Sequence, residues 1–194
     1  FVPGVDGRDV AGIIAGAGAG DIELVYLLGA DEIDTAALGD AFVVYQGHHG
    51  DAGAHRADVI LPGAAYTEKN GTYVNTEGRV QLARQAVQPP GEAREDWTII
   101  RALSGVIGAN LDYVTLGDVR AALAAANPVF EQVDQVAPAS WDAFGTAGDM
   151  DAAAFESPIG NYYMTDAISR ASETMAECTR EFVSGNGERT GTDG

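Results

Sequence analysis

Three short apolar runs punctuate the first third of the chain. Glu23-Leu24-Val25-Tyr26-Leu27-Leu28 ends at Gly29, Phe42-Val43-Val44-Tyr45 follows, and Val59-Ile60-Leu61 is closed by Pro62. Continuous runs of β-favouring residues predict strands buried on both faces, as in a parallel sheet. The intervals of roughly a dozen residues between them suit crossover connections. Thr72-Tyr73-Val74 and Arg79-Val80-Gln81-Leu82 flank Asn75 to Gly78, which predicts a hairpin outside that sheet.

Downstream the hydrophobic period lengthens. Over 94–107, Trp97, Ile100, Leu103 and Ile107 recur at helical spacing, with Gly108 as the stop. Glu92, Glu95 and Asp96 put negative charge at the start of this helix, where the macrodipole favours it. A second helix is predicted from about Thr115, with Asp118 completing an approximate capping box, through Val119 and Leu123 to Asn127-Pro128. From 128 to 161, Pro138, Gly145, Gly148 and Pro158 interrupt the pattern, which reads as an extended segment following the surface. A last helix over 166–183 would carry Ile168, Ser172, Met175 and Phe182 on one face, and 184–194 is expected to be disordered. The apolar run Val10 to Gly20 is rich in Gly and Ala and stops at Asp21, well short of the ~20 residues a spanning helix needs. No internal repeat is visible.

Composition narrows the functional classes. The 46% hydrophobic content supports a real core. The net charge of −18 opposes nucleic acid and anionic membrane surfaces, whose affinity comes from cationic contacts. Direct membrane insertion is not expected, and no basic, apolar leader opens the chain. A single cysteine, Cys178, allows no internal disulfide and suits a reducing compartment. Because the chain starts at Phe1-Val2-Pro3-Gly4, in what reads as mid-fold, we expect a piece of a longer polypeptide.

Candidate chemistry is sparse. Gly16-Ala17-Gly18-Ala19-Gly20 suggests a dinucleotide loop, but the sixth position is Asp21 and the run precedes its nearest strand instead of following one, so it reads as a flexible connection. His48, His49 and His55 share one window with Asp51, a set that could ligate a divalent metal; without an HExxH helix, loop packing explains them better. Cys178 is one thiol where an iron–sulfur cluster needs four ligands, mostly cysteine. Asn70-Gly71-Thr72 matches a glycosylation acceptor by chance, given no secretory signal. Asp58 and Glu68 adjoin strand or hairpin residues and are the carboxylates expected to be structured. No nucleophile elbow or P-loop is present, and no catalytic, cofactor-binding or metal residue is assigned.

One block is specific. Ala57-Asp58-Val59-Ile60-Leu61-Pro62, continued by Thr67-Glu68-Lys69-Asn70-Gly71-Thr72-Tyr73-Val74-Asn75-Thr76-Glu77-Gly78-Arg79-Val80-Gln81, resembles the molybdopterin oxidoreductase superfamily, with its ADVVLP-type strand and E-K-x-G-T hairpin. Tyr26 to Asp31, Tyr45 to Asp51 and Pro90 to Trp97 are similar to the branch found in respiratory complex I, the C-terminal part of its large iron–sulfur subunit of the G type. The most specific stretch is Asn161 to Ser172 with Thr174-Met175-Ala176.

The resemblance implies a partial molybdopterin-oxidoreductase-like α/β domain with short, mainly parallel strands and a hairpin. This α/β part would occupy 1–108, a helical and irregular C-terminal extension 109–183, and a tail 184–194. It implies a scaffold in NADH:quinone oxidoreductase that holds no cofactor itself, with iron–sulfur clusters in the N-terminal half of the parent subunit. The implied partners are that half and neighbouring peripheral-arm subunits. The implied place is the cytoplasmic face of the bacterial inner membrane or the matrix face of the mitochondrial one. An alternative is a piece of an active molybdopterin enzyme, formate dehydrogenase-like, in which Glu68, Asn75 and Arg79 contact pterin-dinucleotide groups.

Overall fold

The structure, a computed structural model, describes residues 7–138, 147–150 and 152–183. The tail expected to be disordered lies outside them, as does part of the 128–161 segment. The chain divides into two units, one comprising Phe1–Ala65, Pro89–Ile99 and Asn161–Gly194, the other Tyr66–Gln88 and Ile100–Gly160.

In the first unit, β1 (Leu24–Leu28), β2 (Phe42–Gly47) and β3 (Val59–Pro62) form one parallel sheet in the order β1-β2-β3, with Tyr26 opposite Val44 and Val44 opposite Val59. Strand alternation therefore puts Val25, Leu27, Val43 and Tyr45 on one face. There they pack with Ala17, Leu38 and Ala41 into the core, supported by Ile14, Ile22, Ile33 and Ala54. These side chains come from α1 (Val10–Gly18), a 3-10 turn (Thr35–Leu38) and α2 (Ala52–Arg56), with their flanking residues.

The other face departs from the expectation of burial on both sides. Leu24 is 57% exposed, Leu28 52%, Phe42 46% and Val59 40%, because all three covering elements lie on the first face. Only Gln46 is sealed on the second, beneath the start of α3 (Asp96–Val106). β1 is an edge strand with no further strand beside it among the described residues, whereas β3 is flanked by Arg94, which pairs with Gly63.

The Gly/Ala run is not a flexible connection. Asp9 caps α1 by accepting from Gly12 N at 2.8 Å, and the helix runs to Gly18. A methyl group at Gly18 would stand 2.8 Å from the Ala37 carbonyl oxygen, so this glycine allows the helix and the 3-10 turn to touch. Tertiary contact overrides the poor helix propensity of glycine here.

In the second unit, β4 (Gly71–Val74) and β5 (Val80–Ala83) make the antiparallel hairpin, and Val80 is fully buried. α4 (Leu116–Ala126) has the full Thr115/Asp118 capping box and ends at Asn127, followed by a 3-10 turn Pro128–Glu131. Backbone N–H groups of Thr115 and Val114 hold the Asp118 carboxyl below its ordinary pKa.

The single last helix is two: α5 (Ala167–Arg170) and α6 (Glu173–Phe182), both in the first unit. Ser172 is not a member of one continuous face but the N-cap of α6, accepting from Met175 N. No described helix is long and apolar enough to cross a membrane.

Candidate functional site at the strand ends

The groups that converge most tightly lie past the carboxyl ends of β1 and β2. Asp31 follows β1 after Gly29-Ala30, and Asp51 follows β2 after the histidine-containing turn. Gly53 in α2 is packed so tightly that a Cβ there would lie 3.0 Å from the Ala30 carbonyl oxygen, which brings the two loops together. Within the β2 loop, Tyr45 Oη donates to the His49 carbonyl at 2.8 Å. Asp51 is the N-cap residue of α2, yet its side chain makes no capping hydrogen bond.

Its carboxylate faces Arg170 instead. Arg170 Nη2 lies 2.8 Å from Asp31 Oδ1, Nη1 lies 3.1 Å from Glu32 Oε1, and Nε donates to Asp51 Oδ2. The Arg170 side chain is 10% exposed, Asp31 4% and Asp51 11%, whereas Glu32 is out in solvent. Buried, multiply hydrogen-bonded charges of this kind cost roughly 3–5 kcal/mol when one partner is removed, because the other is left uncompensated. Burial opposes the guanidinium charge, but Glu32 and Asp51 hydrogen bonds and the Asp31 charge outweigh it and raise the Arg170 pKa. Burial first, then the charges of Asp31 and Asp51, push the Tyr45 phenol above its ordinary pKa, with Arg170 pulling the other way. The second Asp31 oxygen, Oδ2, is buried without a hydrogen-bond partner among the described residues.

Across the sheet, Gln46 is 0% exposed, accepts from Tyr26 Oη and donates from Nε2 to Asp96 Oδ1 at 2.9 Å. Burial, and next the Asp96 charge, raise the Tyr26 pKa.

The residues singled out from sequence fall elsewhere. His48 and His49 bring their Nδ1 atoms within 2.7 Å of each other in the turn, while His55 sits on α2. Among the described residues, no group of three or more His, Cys, Asp or Glu could hold a metal ion. Cys178 is half-buried on α6. Asp58 is structured as expected, accepting from Val43 N at 2.7 Å with Arg56 3.6 Å away. In the hairpin, Asn75 Oδ1 accepts from Arg79 N at 2.9 Å and Glu77 N at 3.2 Å, and Arg79 donates to Glu77 and to the Asp134 carbonyl. Asn75 and Arg79 thus build the turn. A cleft of about 310 Å³ in the second unit is lined by Arg101, Ser104, Asn110, Leu111 and Val114, but Ser104 Oγ is already engaged by Arg101 O and Leu111 N.

Arg170, Asp31, Glu32 and Asp51 form no motif in the sequence, because 119 to 139 positions separate Arg170 from its partners. The one local signal is a carboxylate just past each of two apolar runs.

Residues 4–106 match the family model of molybdopterin oxidoreductase. The chain belongs to that family. Residues 135–178 match a second model, the C-terminal region of the G-type subunit of NADH-ubiquinone oxidoreductase. The chain is 53% identical over 172 residues to the mitochondrial NADH-ubiquinone oxidoreductase 78 kDa subunit of Candida albicans, covering 82% of the chain and 24% of that protein. It is 47% identical to the mitochondrial NADH dehydrogenase [ubiquinone] iron-sulfur protein 1 of Solanum tuberosum, covering 81% and 22%. With the G-type subunit of NADH-quinone oxidoreductase from Rickettsia bellii it shares 44% identity, covering 89% and 26%. The chain therefore spans about a quarter of the length of these curated relatives. The superfamily resemblance of 57–81 and the complex I character of the 161–176 stretch both hold.

Proposed function

We propose that this chain is a scaffold segment of the large peripheral-arm subunit of NADH:quinone oxidoreductase, the respiratory complex I. It supports electron transfer from NADH to quinone through iron–sulfur clusters held elsewhere in the parent polypeptide. The supporting observation is the half-covered sheet. Parallel sheets are stable with both faces covered, and here Leu24, Leu28, Phe42 and Val59 leave one face apolar and open. We assign that face to the remainder of the parent chain, in keeping with relatives about four times as long. The single thiol of Cys178 falls short of the ligands a cluster requires, which supports placing the metal centres outside these residues. Partners on this reading are the rest of the subunit and neighbouring peripheral subunits, with a peripheral membrane location.

The test is hydrogen exchange and cluster spectroscopy on the assembled subunit. Backbone amides of β1 and β2 should gain protection on assembly, and Phe42→Asp should weaken assembly while the cluster signals of any subunit that does assemble stay unchanged. Unaltered protection, or a redox centre coordinated by these residues alone, would sink the reading.

The alternative, a piece of an active molybdopterin enzyme, draws on the family match at 4–106. Against it, Asn75 and Arg79 are occupied in the turn. Molybdenum or tungsten with a pterin in the parent protein would reverse the order.

A further inference from the structure

In α/β proteins with parallel sheets, the crevice beyond the carboxyl ends of the strands is where ligands are received. Here that position is filled from within the chain. Arg170 engages Asp31 beyond β1 and Asp51 beyond β2 with two of its nitrogens and reaches Glu32 with the third. Asp31 and Asp51 lie in the stretch matching molybdopterin oxidoreductase, and Arg170 in the stretch matching the C-terminal model of the complex I subunit. One buried side chain thus ties the two matched stretches together.

We infer that Arg170 is a latch: it pins the segment Asn161–Phe182 across the strand-end crevice of β1 and β2 and keeps that crevice closed. Three observations carry this. The notch has braces of its own besides the arginine, since Gly53 packs against Ala30 of the other loop and Tyr45 holds the His49 carbonyl within the β2 loop. Asp51 leaves its helix uncapped and faces the guanidinium. The arginine is presented by its own rigid turn, in which Asp166 accepts from Ile168 N at 2.9 Å, Ser169 N at 3.0 Å and Ser169 Oγ at 2.7 Å. Elsewhere in the segment, Asn161 Nδ2 donates to Thr179 Oγ1 at 3.1 Å, which fastens the segment to itself and not to the sheet. Arginine suits the role because its planar fork serves separate carboxylates at once, which a lysine ammonium does less well. The latch concerns the chain's own packing and does not depend on the scaffold reading.

Hydrogen exchange on the full chain tests it. Arg170→Ala should speed exchange across residues 167–182 by about tenfold or more, since loss of a buried charge partner opens the contact locally. Amides of β1 and β2 should change far less. Arg170→Lys should fall between wild type and Arg170→Ala, and Asp31→Asn with Asp51→Asn together should reproduce Arg170→Ala, with no added effect when all three are combined. Unchanged exchange at 167–182 in Arg170→Ala overturns the latch. So does acceleration of the sheet equal to that of the segment in both Arg170→Ala and Arg170→Lys, which would make the arginine a general stabiliser.

Discussion

Over β1 and β2 the two faces of the parallel sheet are made from alternate residues of the same strands, yet they meet opposite fates. On one, Val43 and the Leu38 that packs against it are completely buried. On the other, Phe42 and Leu24, paired across β1 and β2, remain about half exposed. Side-chain chemistry does not distinguish them, since both sets are large and apolar. What differs is that α1, α2 and the 3-10 turn all fall on one side. Hydrophobicity thus marks which residues call for cover, and only topology decides whether this stretch of chain provides it.

Several substitutions would sharpen that contrast. The largest effect belongs to the covered face: Leu38→Ala should cost about 2–5 kcal/mol in chemical denaturation of the chain, by lost transfer energy plus a cavity. Next is Gln46, the sealed polar group on the open face; Gln46→Ala should cost about 1–3 kcal/mol by leaving buried partners unsatisfied. Phe42→Ala should cost less than about 1 kcal/mol in this chain alone, the range of exposed sites. If Phe42→Ala proved as damaging as Leu38→Ala here, the open face would have to be covered in solution.

The smallest effect is in alkali. Each face carries one tyrosine, Tyr45 and Tyr26, whose pKa is raised by folding. A raised folded pKa means a stabilising contribution that is complete below the unfolded value of about 10 and lost as pH climbs through the folded one. Tyr45→Phe and Tyr26→Phe should each flatten the alkaline fall in stability and remove one late-titrating phenolate from the absorbance titration. A curve identical to wild type in both variants would contradict the burial assigned to them.

Local pattern carries the strands, the hairpin, α3 and the α4 cap, because each is decided by residues within a few positions of one another. The Thr115/Asp118 box is an example: three residues apart, it can be read directly and forms in full. α1 is not legible, since Gly16 and Gly18 argue against helix until Asp9 and the packing at Ala37 are known. Ser172 is ambiguous between helix face and helix cap, a choice settled by hydrogen bonding to Met175. The Arg170 cluster is beyond reach, as its members meet only after the sheet has set both loop positions.

The outer edge of β1, which no strand pairs with among the described residues, has one more consequence. A row of main-chain donors and acceptors beside Leu24 and Leu28 is a template on which a second copy could add by strand pairing, the usual route to aggregation. The surplus of acid in this sequence, −18 overall, then takes on a colloidal role: like-charged copies repel before their edges can meet. Such repulsion fades beyond about 8 Å at physiological ionic strength. Added salt should therefore shorten the time the isolated chain stays dispersed.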